Sequence, residues 1–239
     1  MQINFKQCNA GNYQKNRNQA IKYIVIHYTG NTGDTANNNA VYFAREKLEK
    51  SANYFVDENE VWQAVPDSDT AWHCGGKRQG SKGGTYLGKC TNNNSLGIEI
   101  CILDKNGNIR TGSIKTAIKL TKMLMKKYNI SIDNVIRHFD VTGKGCPLPM
   151  IQNPELWKQF KQDLLREDED EMKIYKYVPE MPDWARDTFT RLYKAGIIST
   201  DSNGELAVQE SSLQPMVYLD RLTGGKIEQI SQILNLIGK

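Results

Sequence analysis

Two of the three histidines in the chain stand where side chains could do chemistry, at the ends of short apolar segments. His27 follows the segment at 22–26 and His138 follows the segment at 135–137, whereas His73 lies just before two glycines. Strand ends open onto loops, and functional side chains are commonly held there by a rigid scaffold. A strand end is also an ordinary place for a structural polar residue, so neither histidine alone indicates a metal ligand.

A cysteine close to the third histidine strengthens the metal hypothesis. Cys146 lies eight residues after His138, in the segment RHFDVTGKGCP at 137–147. The glycines at 143 and 145 permit a tight loop that could return the thiol to the imidazole. Imidazole and thiolate are both good zinc ligands, and three protein ligands leave a fourth position for water, which is the catalytic arrangement.

Alternating strand and helix patterns predict the elements that would position these side chains. Strands are predicted at 22–26, 96–103 and 135–137, a hairpin at 53–65, and helices at 39–48, from an N-cap at Ser113 to 128, and from 153 onward. The helices are recognised by apolar residues that recur every three or four positions. Strands mixed with helices predict an α/β layer architecture.

The composition is that of a globular chain, with 39% hydrophobic and 24% charged residues. No stretch approaches the roughly 20 apolar residues of a membrane-spanning helix, so no membrane partner is expected. The N-terminus lacks a continuous apolar region, so no signal peptide is predicted. Five widely spaced cysteines do not form a disulfide framework and are predicted to be reduced, with a Cys74–Cys90 bridge as an alternative.

A run of five acidic residues at 167–171 predicts a boundary between two domains. The predicted organisation is a first domain at 1–165, an acidic linker at 166–173 and a small helical domain at 174–239. The net charge is +9 up to Arg166 and −5 beyond it. A basic first domain suits a polyanion such as a teichoic-acid-bearing wall or nucleic acid, and it is equally consistent with a solvated surface.

Three amphipathic segments predict the helices of the second domain, at 182–195, 212–222 and 226–237. In the first of these helices Trp184 is predicted to face inward, and Gly196 is placed to end the helix. In the second helix Pro215 is expected in the first turn, where a missing N–H costs little.

Four segments of the first domain carry a resemblance to a known family. They are, in chain order, IVIHYTGN at 24–31, SANYFVDENEVWQAVPDSDTAWHCG at 51–75, NNNSLGIEIC at 92–101 and RHFDVTGKGCP at 137–147. Together they resemble the type-2 N-acetylmuramoyl-L-alanine amidases of bacteriophage lysins, a family that includes the peptidoglycan recognition proteins. The resemblance covers about the first 160 residues and implies a central mixed β-sheet flanked by helices.

The resemblance implies one catalytic zinc ion held by His27, His138 and Cys146, with catalytic roles for Glu99 and Lys144. Glu99 is a lone carboxylate in an apolar strand, and burying it without a partner is costly, so it needs a cation or a cleft. Beside a zinc-bound water it could act as general base and then as acid. The Lys144 ammonium could stabilise the oxyanion. The alternatives are a salt-bridged strand-end glutamate and a solvated loop lysine.

Roles are also expected for two further residues, His73 and Asp140. His73 resembles the histidine of a segment that lines the family's substrate groove, so it is expected to contact substrate, with a purely structural role as the alternative. Asp140 is expected to orient a ligand histidine, because metal-bound imidazoles usually donate their other N–H to an acceptor. A loop-capping role for Asp140 is an equal alternative.

The expected function is zinc-dependent hydrolysis of the amide between N-acetylmuramic acid and L-alanine in a Gram-positive wall, by a phage or prophage endolysin. Without a signal peptide, such a lysin would wait in the host cytoplasm until lysis and then act on the wall; nucleic acid is not an expected partner. The segment at 178–199 resembles a single S-layer-homology-type repeat, which favours wall binding or a homodimer, with a stability cap as the alternative. Rival functions are a non-catalytic peptidoglycan-binding protein, a cytosolic amidase that recycles wall fragments, and a regulator of an intracellular protein.

Overall fold

The computed structural model describes residues 1–166 and 174–226. Its contacts divide the chain into two compact units, Met1–Arg166 and Glu167–Lys239. None of the described helices is both long and apolar enough to cross a membrane.

A six-stranded mixed sheet forms the centre of the first unit, in the strand order β1-β5-β4-β7-β3-β8. The strands of this unit are β1 (Asn4–Phe5), β2 (Tyr13–Gln14), β3 (Tyr23–Tyr28), β4 (Tyr54–Val56), β5 (Val61–Gln63), β6 (Thr70–Ala71), β7 (Ser95–Ile100) and β8 (Val135–Arg137). Strands β4, β7, β3 and β8 run parallel to one another, and β5 pairs antiparallel with β4. The short strands β2 and β6 pair separately.

Apolar side chains on both faces bury the middle of the sheet. Along β3, Ile24 and Ile26 point into the largest apolar cluster, whereas Val25 points to the opposite face. All three are fully buried, as expected for a parallel strand covered on both sides. Because side chains alternate along a strand, His27 lies on the face of Val25, away from the main cluster.

The helices of the first unit are α1 (Ala36–Arg45), α2 (Thr111–Tyr128), α3 (His138–Thr142), α4 (Leu148–Gln152) and α5 (Pro154–Leu165). Three of them, α1, α2 and α5, match predicted helices but differ from them at several ends, whereas α3 and α4 were not predicted. The predicted N-cap at Ser113 is wrong, because α2 begins two residues earlier and buries Ser113 in its first turn. The predicted start of α5 is confirmed, with Asn153 as cap and Pro154 in the first helical position.

Asp57 links the turn between β4 and β5 to the first residue of α1 through hydrogen bonds. Its buried carboxylate accepts hydrogen bonds from the backbone N–H of Ala36 at 2.7 Å, of Asn59 at 2.8 Å and of Glu60 at 3.0 Å. We expect Asp57→Ala to lower the free energy of unfolding by about 2–3 kcal/mol, since the buried N–H of Ala36 and two partly buried N–H groups of the turn lose a charged acceptor. Urea unfolding followed by tryptophan fluorescence measures this.

Asp104 provides the matched control for that substitution. Its carboxylate also accepts backbone N–H groups in a turn, those of Asn106 and Asn108, but the turn is exposed and water can replace it. Asp104→Ala should therefore cost clearly less stability than Asp57→Ala. Equal losses from the two substitutions would show that burial of the Asp57 hydrogen bonds is unimportant.

The second unit, described over 174–226, contains more than helices. Its elements are β9 (Ile174–Tyr175), α6 (Asp183–Lys194), β10 (Val208–Gln209) and α7 (Glu210–Leu222). The two strands pair antiparallel and were not predicted. The predicted helix at 182–195 is confirmed, and Gly196 follows it with a φ of +70°, as its predicted role requires.

Two details of the second unit differ from the predictions. Trp184 is 49% exposed, because the buried face of α6 begins at the next residue, Ala185, and continues through Phe189 and Leu192. Pro215 lies inside α7 instead of in its first turn, because the helix begins earlier, at Glu210. The acidic run at 167–171 and the third predicted helix, beyond Lys226, lie outside the described residues.

Candidate active site

Parallel strands bring three of the predicted residues to one edge of the sheet. His27 lies near the carboxyl end of β3, and its register partner on β7 is Glu99. His138 is the first residue of α3 and directly follows β8, the other neighbour of β3. Since parallel strands end at the same edge, residues far apart in the sequence become neighbours there.

A tight loop after α3 returns Cys146 to the histidines. The N–H of Phe139 donates to the carbonyl of Cys146 at 2.8 Å, which closes the loop. Gly143 ends α3 with a φ of +83°, and a Cβ there would meet the carbonyl oxygen of Lys82 at 2.7 Å. Only glycine satisfies both conditions without strain, so this position helps to fix where the thiol lies.

The ligand atoms of His27, His138 and Cys146 all lie within 4.8 Å of one another, and all three side chains are buried. Cys146 Sγ stands 3.7 Å from His27 Nδ1. Both ring nitrogens of His138 are buried and have no hydrogen-bond partner among the described residues. A buried polar atom without a partner is costly, and a metal ion would satisfy it. The donor set therefore fits a metal site.

The protonation states of His27 and His138 are also those that a metal site requires. Burial lowers the pKa of His27 well below its usual value and lowers the pKa of His138 to about 4, so both rings are neutral at pH 7. Neutral imidazole is the form that binds metals. Burial raises the pKa of Cys146 to about 12, so its thiolate needs a neighbouring cation to form at pH 7.

Glu99 and Lys144 line the same cavity of about 750 Å³ as the three candidate ligands. Glu99 Oε1 stands 3.9 Å from His27 Nδ1, and its Oε2 is buried without a hydrogen-bond partner in the described structure. Burial raises the pKa of Glu99 to about 8, and the ammonium groups of Lys144 and Lys50 oppose this shift. A carboxyl with a pKa near neutrality can both accept and return a proton.

His73 has protein partners that the sequence did not indicate. Its Nδ1 is 3.0 Å from His27 Nε2, and its Nε2 is 3.1 Å from the hydroxyl of Ser95. Only 9% of the residue is exposed, although it lines the cavity. Both ring nitrogens are hydrogen-bonded within the protein, so only the ring carbons of His73 are left to contact a substrate. The predicted contact with substrate stays a prediction.

Asp140 pairs with an arginine and not with a ligand histidine. Its carboxylate accepts hydrogen bonds from the backbone N–H, Nε and Nη2 of Arg137 at 2.8–3.0 Å. These bonds cap the first turn of α3, which is the alternative role considered for Asp140. The expectation that Asp140 orients His138 therefore finds no supporting contact, since the carboxylate is held by its own helix start.

Several side chains that complete the cavity were not predicted from the sequence. Residues from α1 and from the segments around it also line it, namely Asn38, Tyr42, Phe43, Lys50 and Trp72. The sequence of α1 did contain a signal, because two adjacent aromatic residues cannot both lie at the centre of the buried face of one helix. Tyr42 is 44% exposed, and Phe43 packs on the buried Phe55, but both Tyr42 and Phe43 line the cavity.

Comparisons with known proteins agree with this geometry. The Amidase_2 family, described as N-acetylmuramoyl-L-alanine amidase, matches residues 17–149. A probable N-acetylmuramoyl-L-alanine amidase of Bacillus licheniformis is 35% identical over 147 residues, which cover 60% of this chain and 41% of that protein. The matched part thus spans about two fifths of the length of the curated relative.

Solved structures show the same fold. The catalytic domain of XlyA, a Bacillus subtilis amidase, superposes with a TM-score of 0.56 at 28% identity and covers 69% of this chain and 99% of that domain. A mutant endolysin from Bacillus subtilis gives a TM-score of 0.56 at 29% identity with the same coverage. With its family match, its six-stranded mixed sheet and the His-His-Cys cluster at the sheet edge, the chain belongs to the Amidase_2 family of N-acetylmuramoyl-L-alanine amidases.

Proposed function

We propose that the chain hydrolyses the amide between N-acetylmuramic acid and L-alanine in peptidoglycan, with one zinc ion held by His27, His138 and Cys146. The observation that carries this proposal is the buried His138 ring, whose nitrogens have no hydrogen-bond partner among the described residues, beside a thiol, a second imidazole and a carboxylate in one cavity. Two nitrogen ligands and one sulfur ligand match catalytic zinc sites that keep one position open. Membership of a family of N-acetylmuramoyl-L-alanine amidases supports the choice of this amide as the bond that is cut.

Glu99 is the group that moves protons in this proposal. A zinc ion, when bound, would supply a Lewis acid for the scissile carbonyl and would acidify water. Glu99 takes the proton from the attacking water as the new C–O bond forms, and then gives it to the leaving nitrogen as the C–N bond breaks. The products are a carboxylate on the lactyl group and a free α-amino group on L-alanine.

Lys144 stabilises the negative charge that develops on the carbonyl oxygen. Its charge acts on the cavity, since it lowers the pKa values of both Glu99 and His138. An ammonium group that lines the cavity can stabilise this charge as it develops. The α1 residues across the cavity offer aromatic and amide groups for the sugar and peptide on either side of the amide.

The cellular role we favour is that of a phage or prophage endolysin that acts on a Gram-positive wall. The similarity to an endolysin from Bacillus subtilis supports it, as does the basic balance of residues 1–166. For the second unit, a role in wall binding or in forming a homodimer stays a prediction.

Digestion of purified Gram-positive walls tests the proposed bond. The chain should release free α-amino groups that amine labelling and hydrolysis identify as L-alanine, with no rise in reducing sugars. Binding to walls without new amino groups, at saturating zinc, would reject the amidase and favour the peptidoglycan-binding alternative. Cleavage of soluble muropeptides but not of intact walls would favour the recycling amidase.

A further inference from the structure

A chain of hydrogen bonds leads from the candidate ligand His27 away from the cavity. His27 Nε2 lies 3.0 Å from His73 Nδ1, and His73 Nε2 lies 3.1 Å from Ser95 Oγ. Ser95 Oγ in turn lies 2.5 Å from the carbonyl oxygen of Thr91. All three side chains in this series are buried, where the low local dielectric strengthens the hydrogen bonds between them.

The carbonyl at the end of the chain fixes the direction of every bond in it. A carbonyl oxygen can only accept, so the single hydroxyl hydrogen of Ser95 is donated to Thr91. Ser95 Oγ must then accept from His73, which places the His73 hydrogen on Nε2. With its hydrogen on Nε2, His73 has Nδ1 left to accept the Nε2–H of His27.

The consequence for His27 is that its Nδ1 carries no hydrogen. This is the nitrogen that faces the thiol of Cys146 at 3.7 Å and the carboxylate of Glu99 at 3.9 Å. Its lone pair is therefore directed to the place where the candidate ligands converge. The Thr91 carbonyl thus selects the metal-binding tautomer of a histidine that it does not touch.

Neighbouring residues hold the His73 ring in the position where it can accept the hydrogen of His27. A Cβ on Gly97 would lie 2.6 Å from Cγ of His73, so the ring packs directly on the backbone of β7. Asn92 Oδ1 accepts the backbone N–H groups of His73 and Cys74 at 3.0 and 2.8 Å. The ring therefore has little freedom to rotate away from His27.

We propose that His73 and Ser95 are positioning residues that hold His27 in the Nε2–H tautomer and so set the metal affinity of the site. This inference rests on the proposed function in that zinc is the metal considered. Partners that hold a metal-bound histidine typically contribute roughly 10–100-fold to metal affinity. We expect a loss of that size when the acceptor on His73 is removed.

Two substitutions at His73 separate hydrogen bonding from packing. His73→Leu fills the space above Gly97 but offers no acceptor to His27. His73→Asn places an amide oxygen near the position of Nδ1 and can still accept the His27 hydrogen. Ser95→Ala removes the acceptor for His73 and leaves the ring in place, so it should have a smaller effect than His73→Leu.

Zinc affinity of the full chain, measured by competition with a chromophoric chelator, is the first readout. We expect roughly 10–100-fold weaker binding for His73→Leu and values within about threefold of the unchanged chain for His73→Asn. Circular dichroism of the metal-free proteins checks that both variants fold. Folded His73→Leu that binds zinc as tightly as the unchanged chain would overturn the proposal.

The tautomer itself provides a second readout that does not depend on metal or activity. The chain contains only three histidines, so long-range ¹⁵N–¹H spectra of the metal-free protein can be assigned ring by ring. We expect His27 and His73 both as Nε2–H tautomers; an Nδ1–H tautomer for His27 would contradict the inference. If walls are not cleaved but affinity and tautomers behave as expected, the proposed function fails and this inference stands.

Discussion

Replacement of Cys146 by alanine is expected to weaken zinc binding by roughly 10²-fold and to abolish wall hydrolysis at zinc concentrations that saturate the unchanged chain. Apparent binding free energies of four-ligand zinc sites are about 10–16 kcal/mol, which is about 3 kcal/mol for each ligand. The Sγ of Cys146 is the only sulfur in the cluster of candidate ligands among the described residues. The measurement is a chelator competition together with the wall assay.

Cys8→Ala is the matched control. Cys8 is also buried, at 2% exposure, but its thiol donates to the carbonyl of Phe43 and lies in a separate apolar cluster. This substitution should cost stability without changing zinc affinity. If Cys146→Ala retained both zinc and activity while Cys8→Ala behaved as expected, the assignment of the thiolate ligand would be wrong.

Glu99→Gln is expected to lower kcat by roughly 10²–10⁴-fold, the range that general acid–base catalysis contributes. The amide has nearly the same shape as the carboxyl group but cannot take a proton from water. Because Glu99 is not one of the three candidate ligands, zinc affinity should change by no more than a few fold. Initial rates on a soluble muropeptide and zinc competition measure the two quantities on the same preparation.

Glu155→Gln controls for the loss of one negative charge. Glu155 lies on the exposed surface of α5 and pairs with Lys158, so its replacement should leave the rate unchanged. A Glu99→Gln variant that keeps a third or more of the original rate with zinc bound would contradict the role of Glu99 as the proton carrier.

The three candidate ligands could be predicted because their local sequence already limits where they can lie. His27 and His138 end apolar strands, and the glycines after His138 make a return loop. Parallel pairing then needs only to place β8, β3 and β7 side by side. The chemistry of the cluster was thus visible from residue types, although the resemblance to the family was needed to join the segments.

The roles of His73 and Asp140 could not be predicted from local sequence. His73 meets its partner across 46 residues, and that contact depends on how a loop packs over Gly97. Asp140 had two acceptable partners within reach, and the choice of Arg137 depends on the geometry of the first turn of α3. A pattern of residue types does not contain that choice.

The ends of helices and the shortest strands also could not be predicted from the sequence patterns. The two-residue strands β9 and β10 carry no periodicity, and they form because they pair with each other. Trp184 lies next to the apolar stripe of α6, where one step of 100° decides between burial and exposure. Such boundaries are set by the packing partner, which the sequence of the helix alone does not specify.

The most direct test of the central claim is the release of L-alanine amino groups from purified walls by the chain before and after removal of its metal. The account predicts that chelation abolishes the release, that one equivalent of zinc restores it, and that the metal-free Cys146→Ala variant is not restored at the same zinc concentration. Undiminished release after complete removal of zinc, confirmed by elemental analysis, would contradict a zinc amidase built on His27, His138 and Cys146.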